Sequence, residues 1–292
     1  MYELIQVTER TWYVDCPAKM GLYLTDDTHV LLIDSGNDKE AGKKVLKHLT
    51  AKGWTLSAIL NTHSNADHIG GNKLLSERTG APVYAPGLEA AFTRWPVLEP
   101  SFLYGGFPPK ALRNKFLMAQ PSHARDLAEY PLPEGMEALS LPGHFFDMAG
   151  FRTPDGVWFL ADCLSGAGIV EKYHVNFIYD VGAYLATLDK VEALTGKYFI
   201  PAHAPTVEDI RPLCALNRDK VHEIGALLCE ICTKPISWET ILQKVFDHYE
   251  LTMDFNQYVL VGSTVRSYLA WLSDQGRLTA RFEDNRLLWE RA

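Results

Sequence analysis

Ten residues constrain this chain more than any others: Thr62-His63-Ser64-Asn65-Ala66-Asp67-His68-Ile69-Gly70-Gly71. Two histidines, an aspartate and an asparagine crowd into this stretch directly after the apolar run Ala58-Ile59-Leu60. A short apolar run followed by polar residues and glycines predicts a buried strand and a turn. Reversal straight after the strand throws the polar side chains into one small volume, and Gly70-Gly71 lets backbone approach closely. Imidazole and carboxylate together suit zinc, iron or manganese.

The flanking sequence repeats the arrangement. Thr11 to Val14, Met20 to Leu24 and His29 to Asp34 read as strands, with Asp26-Asp27 as a turn. Residues 38 to 52 are amphipathic, with Ala41, Val45, Leu46 and Leu49 at helical spacing. A helix through Leu74 and Leu75 and a strand at Pro82-Val83-Tyr84 follow the histidine loop. Met136 to Leu141 is a strand ending in Pro142-Gly143-His144. The turn Thr153-Pro154-Asp155-Gly156 leads into Val157 to Leu160, which delivers Ala161-Asp162. A helix over 181 to 195 precedes Tyr198-Phe199-Ile200, which ends at Pro201-Ala202-His203. His144, Asp162 and His203 each sit at a strand end. One such histidine is ordinarily structural, but this ordered series after the His63 cluster predicts a metal centre.

Over residues 1 to 205 the pattern resembles the His-x-His-x-Asp-His signature of the metallo-β-lactamase superfamily, with Asn65 where the second histidine stands. The resemblance implies an α/β chain: a four-layer αββα sandwich with the metal site in a cleft at one edge of the sheets. It assigns His63, the Asn65 position and His144 to a first metal site. Asp67, His68 and His203 would form a second, and Asp162 would bridge the two. Asp34, at its strand end, would support the ligand loop by hydrogen bonding. The implied activity is a metal-dependent hydrolase attacking an ester, thioester or lactam or lactone bond through a metal-bound hydroxide. Its partner would be a small-molecule substrate, its cofactor one or two zinc ions with iron or manganese as alternatives, and its catalytic acid–base Asp67. The neutral Asn65 amide is a weaker zinc ligand than imidazole, so the first site should be weak or empty. A branch of the superfamily, the persulfide dioxygenases, uses a single iron on the positions of His63, His144 and Asp162, which makes an iron oxygenase the alternative enzyme. Cys163, one residue beyond Asp162, should point to the opposite face and pack in the core.

Residues 94 to 133 are rich in proline and aromatic residues, without a clear helix or strand pattern. A segment of this kind reads either as a lid, with Phe102, Tyr104 and Phe107 walling the cleft, or as a homodimer contact. Residues 206 to 292 read as three helices and a hairpin, resembling a small winged-helix-like α+β domain. Its expected helices are 206 to 232, one N-capped by Ser237, and 258 to 272. A nucleic-acid-binding or processing protein is therefore a further alternative. Charge argues against it: 10 Lys and Arg stand against 13 Asp and Glu in this tail, and Arg266 is the only cation inside the third helix. A structural or dimerising tail fits better.

The whole chain carries a net charge of −8, which also disfavours phosphate-backbone binding. No apolar run approaches the ~20 residues that span a bilayer, so no membrane partner is expected. The N-terminus carries no signal-peptide pattern, and the five cysteines are an odd number, together predicting reduced thiols in a cytoplasmic protein. Cys229 and Cys232 fall on the apolar face of a helix and read as packed rather than redox-active.

Overall fold

The computed structural model describes residues 2–292. Seven strands form the first sheet in chain order: β1 (Glu3–Gln6), β2 (Thr11–Asp15), β3 (Met20–Leu24), β4 (His29–Ile33), β5 (Thr55–Leu60), β6 (Val83–Ala85) and β7 (Ala124–Asp126). β1 to β4 are an antiparallel meander, and β4 to β7 run parallel. Parallel neighbours need crossovers, which helices supply. These are α1 (Lys39–Lys52), α2 (Ala66–Ile69), α3 (Asn72–Thr79), α4 (Gly87–Arg94) and α5 (Leu98–Tyr104). α1 begins where Asp38 accepts hydrogen bonds from the Glu40 and Ala41 N–H groups, and it ends at Gly53 in the left-handed region (φ 68°).

The second sheet has the order β11-β10-β9-β8, from β8 (Glu137–Ser140), β9 (Ala149–Arg152), β10 (Val157–Ser165) and β11 (Tyr198–His203). β10 and β11 are parallel, linked through α6 (Ala167–Tyr173) and α7 (Val181–Glu192). The rest of the chain is α8 (Arg211–Ile231), β12 (Ile236–Ser237), α9 (Trp238–His248), α10 (Phe255–Asp274), β13 (Leu278–Glu283) and β14 (Arg286–Arg291). The last two strands join through Asp284 and Asn285, both with positive φ, as a two-residue hairpin turn requires.

Strand alternation builds the layers. Val30 and Leu32 of β4 pack outward with Val45 and Leu49 of α1, while Leu31 and Ile33 face inward with Phe151, Val157 and Phe159 of the second sheet. On β10 the same rule turns Trp158 and Leu160 away from that interior, toward Leu188 of α7 and Ile224 of α8. Helix, sheet, sheet and helix therefore stack as the αββα sandwich expected from the sequence. Cys163 is fully buried in the outer layer with Cys214.

Two elements depart from expectation. β1 and β7 are short edge strands whose sequences carry no strong alternation, and pairing with β2 and β6 creates them. The segment from 94 to 133 is also structured: it holds all of α5, one-turn 3-10 helices at Lys110–Leu112 and Leu127–Glu129, and β7. Its prolines break the periodicity without preventing helix, since Pro100 sits in the first turn of α5, where an N–H has no partner to lose.

The tail elements follow the expected order, with β12 added as a third strand beside β14. Ile241, Val245, Tyr268 and Leu272 share one continuous core with Trp158 and Leu160 of β10. Arg266, the lone cation of α10, stacks on the Trp238 ring with its guanidinium carbon 3.5 Å from the centroid. Among the described residues, no helix is long and apolar enough to cross a membrane.

Candidate metal centre

The loop after β5 is held by contacts from three directions. Asp34, directly after β4, has φ 59°, a strained value for a residue other than glycine. That turn buries its carboxylate, where it accepts from Thr62 N (2.8 Å), Thr62 Oγ1 (2.7 Å) and His68 Nδ1 (2.8 Å). Buried Glu89 of α4 accepts from Ser64 N (3.0 Å) and Ser64 Oγ (2.6 Å), and its other oxygen takes Asp147 N (2.9 Å). Gly70 lies so close to the Asn37 backbone that a Cβ would collide with it. Gly143, at φ 122°, packs on the backbone of Tyr184 and turns His144 into the same cleft.

A backbone irregularity aims the central carboxylate. The register of β10 against β11 shifts on both sides of Ala161, which has φ 51°. A bulge of this kind re-aims the following side chain. Asp162 thereby reaches His68 Nε2 (3.0 Å), His203 Nε2 (3.2 Å), His144 Nε2 (3.6 Å) and His63 Nε2 (3.9 Å). Asp67 Oδ2 lies 3.2 Å from His203 Nε2 and 3.9 Å from His68 Nε2. Two groups result, Asp67–His68–Asp162–His203 and His63–His144–Asp162, which share Asp162.

Each of the four imidazoles is oriented through its other nitrogen. His68 Nδ1 donates to Asp34, His203 Nδ1 to the Pro17 carbonyl (2.7 Å), and His144 Nδ1 to the Phe177 carbonyl (3.0 Å). His63 Nδ1 meets Thr62 Oγ1 at 3.0 Å; that hydroxyl gives its own proton to Asp34, so it accepts from the imidazole. A proton on Nδ1 leaves Nε2 as the nitrogen that can bind a cation. Four Nε2 atoms thus converge on two carboxylates. His63 Nε2, His68 Nε2 and Asp162 Oδ1 are buried and make no hydrogen bond of good geometry. Orphaned buried polar atoms are costly in a native fold, and divalent cations held by the two groups would satisfy all three. The donor set fits a metal.

The electrostatics agree. Burial lowers His63 and His144, and the neighbouring His68 cation lowers them further, although Asp162 pulls the other way. Burial also opposes the charge on His68 and His203, yet Asp162 and the other carboxylates outweigh it, raising His68 well above its usual value and His203 to about 10. For Asp162 and Asp67, burial works against ionisation, but the facing histidines hold both below the ordinary carboxylate range. Without a metal, this carboxylate pair demands positive charge and takes it as protons on His68 and His203.

The residues that the sequence singled out as ligands come together here, as does Asp34 behind them. Asn65 is also inside: its Oδ1 lies 3.0 Å from His144 Nε2, and its Nδ2 donates to Glu99 at 2.9 Å. Sequence reasoning missed Glu89 and Glu99, buried acids on short helices that no local pattern marks. Burial raises Glu89 to about 7 and Glu99 well above its usual value. The expected lid residues are placed elsewhere. Phe102 packs against Phe145, Phe146 and Tyr179, Tyr104 borders a neighbouring groove, and Phe107 is 74% exposed beneath Arg113. The aromatic shell around Phe145 captures Phe102, so the insertion instead contributes Glu99, Lys115, Phe116 and Leu117 to the cleft. The cleft encloses about 700 Å³, and Ile169, Val175 and Phe177 line it together with Leu260 and Val261 of α10.

The fold is shared with known proteins. A model of the metallo-beta-lactamase superfamily matches residues 15–203. A hydroxyacylglutathione hydrolase of Erythrobacter litoralis is 46% identical over 69 residues, 22% of this chain and 28% of that protein. One of Methylobacillus flagellatus is 31% identical over 142 residues, 48% of this chain and 45% of that protein. The chain thus spans about half or less of the length of these curated relatives. Among solved structures, a beta-lactamase domain protein from Burkholderia ambifaria superposes with a TM-score of 0.75 at 16% identity, covering 99% of this chain and 94% of that one. A metallo-beta-lactamase family protein from Thermus thermophilus gives 0.72 at 18% identity, covering 99% and 98%. At these identities the likeness concerns the fold, which extends through the C-terminal helices in both.

Proposed function

The chain belongs to the metallo-β-lactamase superfamily, and from that premise we propose that it is a metal-dependent hydrolase of an acyl bond: an ester, thioester, lactone or lactam. The observation that carries this reading is the set of four Nδ1-anchored imidazoles whose Nε2 atoms converge on Asp162. His68, His203, Asp67 and Asp162 would hold one metal, and His63, His144, Asn65 and Asp162 a second. Zinc suits imidazole and carboxylate donors, with iron or manganese as the alternatives. Bound there, the metal would acidify water and polarise a carbonyl oxygen.

The chain's own groups do the rest. Asp67 is the most exposed carboxylate of the cluster, with 40% of its side chain accessible, and it borders the cleft. It is placed to orient the attacking water and to pass its proton to the leaving group. Asp34 and the backbone carbonyls of Pro17 and Phe177 keep the imidazoles in the tautomer that binds metal. Ile169, Val175, Phe177 and Leu260 exclude water from the acyl side.

The named relatives act on a glutathione thioester, so a thioester is among the bonds to test. The cleft favours an uncharged acyl substrate over a dianionic one. Among the described residues, Lys115 is the only Lys or Arg lining it, and that ammonium is paired with Asp38 at 3.5 Å. The test is elemental analysis of protein purified without added metal, followed by turnover of matched neutral and glutathione-linked acyl substrates with and without chelator. Zinc, iron or manganese in the protein and chelator-sensitive hydrolysis, faster on neutral substrates, are expected. A metal-free protein that stays inert after metal is supplied would sink the reading.

A further inference from the structure

Asn65 stands at the N-cap of α2, a position where asparagine ordinarily accepts a backbone N–H. Here its side chain makes no capping bond. It reaches sideways instead, with Nδ2 on Glu99 Oε1 at 2.9 Å and Oδ1 3.0 Å from His144 Nε2. Glu99 is 5% exposed, sits in the first turn of α5, and reaches the cleft from the segment between β6 and β7. Resting on the metal-centre reading above, we propose that Glu99 is a positioning residue: it holds the Asn65 carboxamide so that its oxygen, not its nitrogen, becomes a donor of the His63–His144–Asp162 group.

The chemistry leaves little freedom. In the observed contact the amide NH₂ donates to Glu99 Oε1, an oxygen that accepts whether it belongs to a carboxylate or to the carbonyl of the buried acid, and the amide oxygen is left facing His144. His144 carries its proton on Nδ1, bonded to the Phe177 carbonyl, so its Nε2 presents a lone pair. Two lone pairs then face each other across 3.0 Å. That arrangement repels unless a cation sits between them, and ligand atoms of one metal ion stand at about this separation given metal–ligand distances near 2.0–2.2 Å. Flipping the amide would set an NH₂ against the metal position, where it offers no lone pair to a cation. An imidazole could present its nitrogen without such help; a carboxamide needs its orientation imposed. Glu99 therefore offsets part of what the His-to-Asn departure costs the first site.

The experiment is a two-site Co²⁺ or Zn²⁺ titration against a competing chelator, with Co²⁺ absorption reporting coordination, on the full chain and its variants. For Glu99→Ala, the affinity of one site should fall by roughly 10- to 100-fold, the range for loss of a group that orients a ligand, while the other stays within about twofold. Glu99→Gln keeps an acceptor for Asn65 Nδ2 and should recover most of the loss. Asn65→Ala should weaken the same site, and adding Glu99→Ala to it should change nothing more, since the two act as one unit. Asn65→His in the Glu99→Ala background should restore two tight sites. Melting temperatures separate folding defects from ligand effects, and Glu99→Gln is the variant to rely on if Glu99→Ala does not fold. The inference is overturned if Glu99→Ala leaves both sites unchanged, if it loosens both equally, or if Glu99→Gln is as weak as Glu99→Ala. It also fails if the unaltered protein binds a single metal without Asn65. No metal binding at all by the unaltered protein would instead overturn the metal-centre reading on which it rests.

Discussion

Asp34→Asn tests whether the histidine tautomers are set from behind the site. Asparagine tolerates the left-handed backbone at this position, so the substitution isolates the carboxylate. The native carboxylate receives three donors: Thr62 N, Thr62 Oγ1 and His68 Nδ1. An amide supplies one acceptor atom in place of two, so in either orientation an NH₂ meets a buried N–H. If it faces His68, the ring escapes by moving its proton from Nδ1 to Nε2, the atom 3.0 Å from Asp162. That proton occupies the position a metal needs. Disturbing a group behind a metal-bound histidine typically costs 10- to 100-fold in affinity, which is about 1.4–2.7 kcal/mol. One unsatisfied buried donor should separately lower folding stability by roughly 1–3 kcal/mol. The assay pairs a chelator-competition titration of the metal with denaturant unfolding of the metal-free protein. His68 should also show a changed tautomer in its ring ¹⁵N shifts. Metal affinity within twofold of the original, with the His68 proton still on Nδ1, would refute the reasoning.

Three other outcomes follow from the same geometry. Asp67→Asn keeps the shape and removes the charge, so turnover should fall by about 10²-fold or more with the fold retained; near-normal kcat on an active substrate would take Asp67 out of proton transfer. His68 and His203 are raised above their unfolded value by Asp162 and its neighbours. Their contribution to the metal-free protein is therefore complete below about pH 6.5 and is lost as pH rises toward about 10 for His203. Melting temperatures of metal-free protein should fall over that window, metal should remove the dependence by replacing the protons, and a flat metal-free profile would contradict this. Leu260→Ala should raise KM for long acyl chains with little change in kcat, because Leu260 lines the cleft from α10; an unchanged KM would remove α10 from the substrate wall.

Much of the site was legible in the chain because its cause is local. A strand alternates faces over a few residues, so apolar runs ending in His63, His144, Asp162 and His203 announce strands that deliver ligands to one edge. The layer architecture follows from the same periodicity: Leu31 and Leu32, or Phe159 and Leu160, must bury against different partners. The capping of α1 by Asp38 and the start of α9 at Ser237 were similarly set within one helical turn.

What tertiary structure alone decided depends on residues far apart in the chain. The carbonyls of Pro17 and Phe177 that set two imidazole tautomers lie 186 and 33 residues from their partners, and any residue can offer a carbonyl. Glu99 and Glu89 look like ordinary acids near helix starts until the fold buries them against Asn65 and Ser64. Aromatic density marked the insertion, but density does not say which face of α5 turns inward, and the Phe145–Phe146 shell claimed Phe102. The bulge at Ala161 arises from its register against β11 and is invisible in the strand's own residues. Short-range rules act through the backbone and can be read from neighbouring residues. The orientation of a donor atom is fixed by whatever the completed fold brings into contact with its far side.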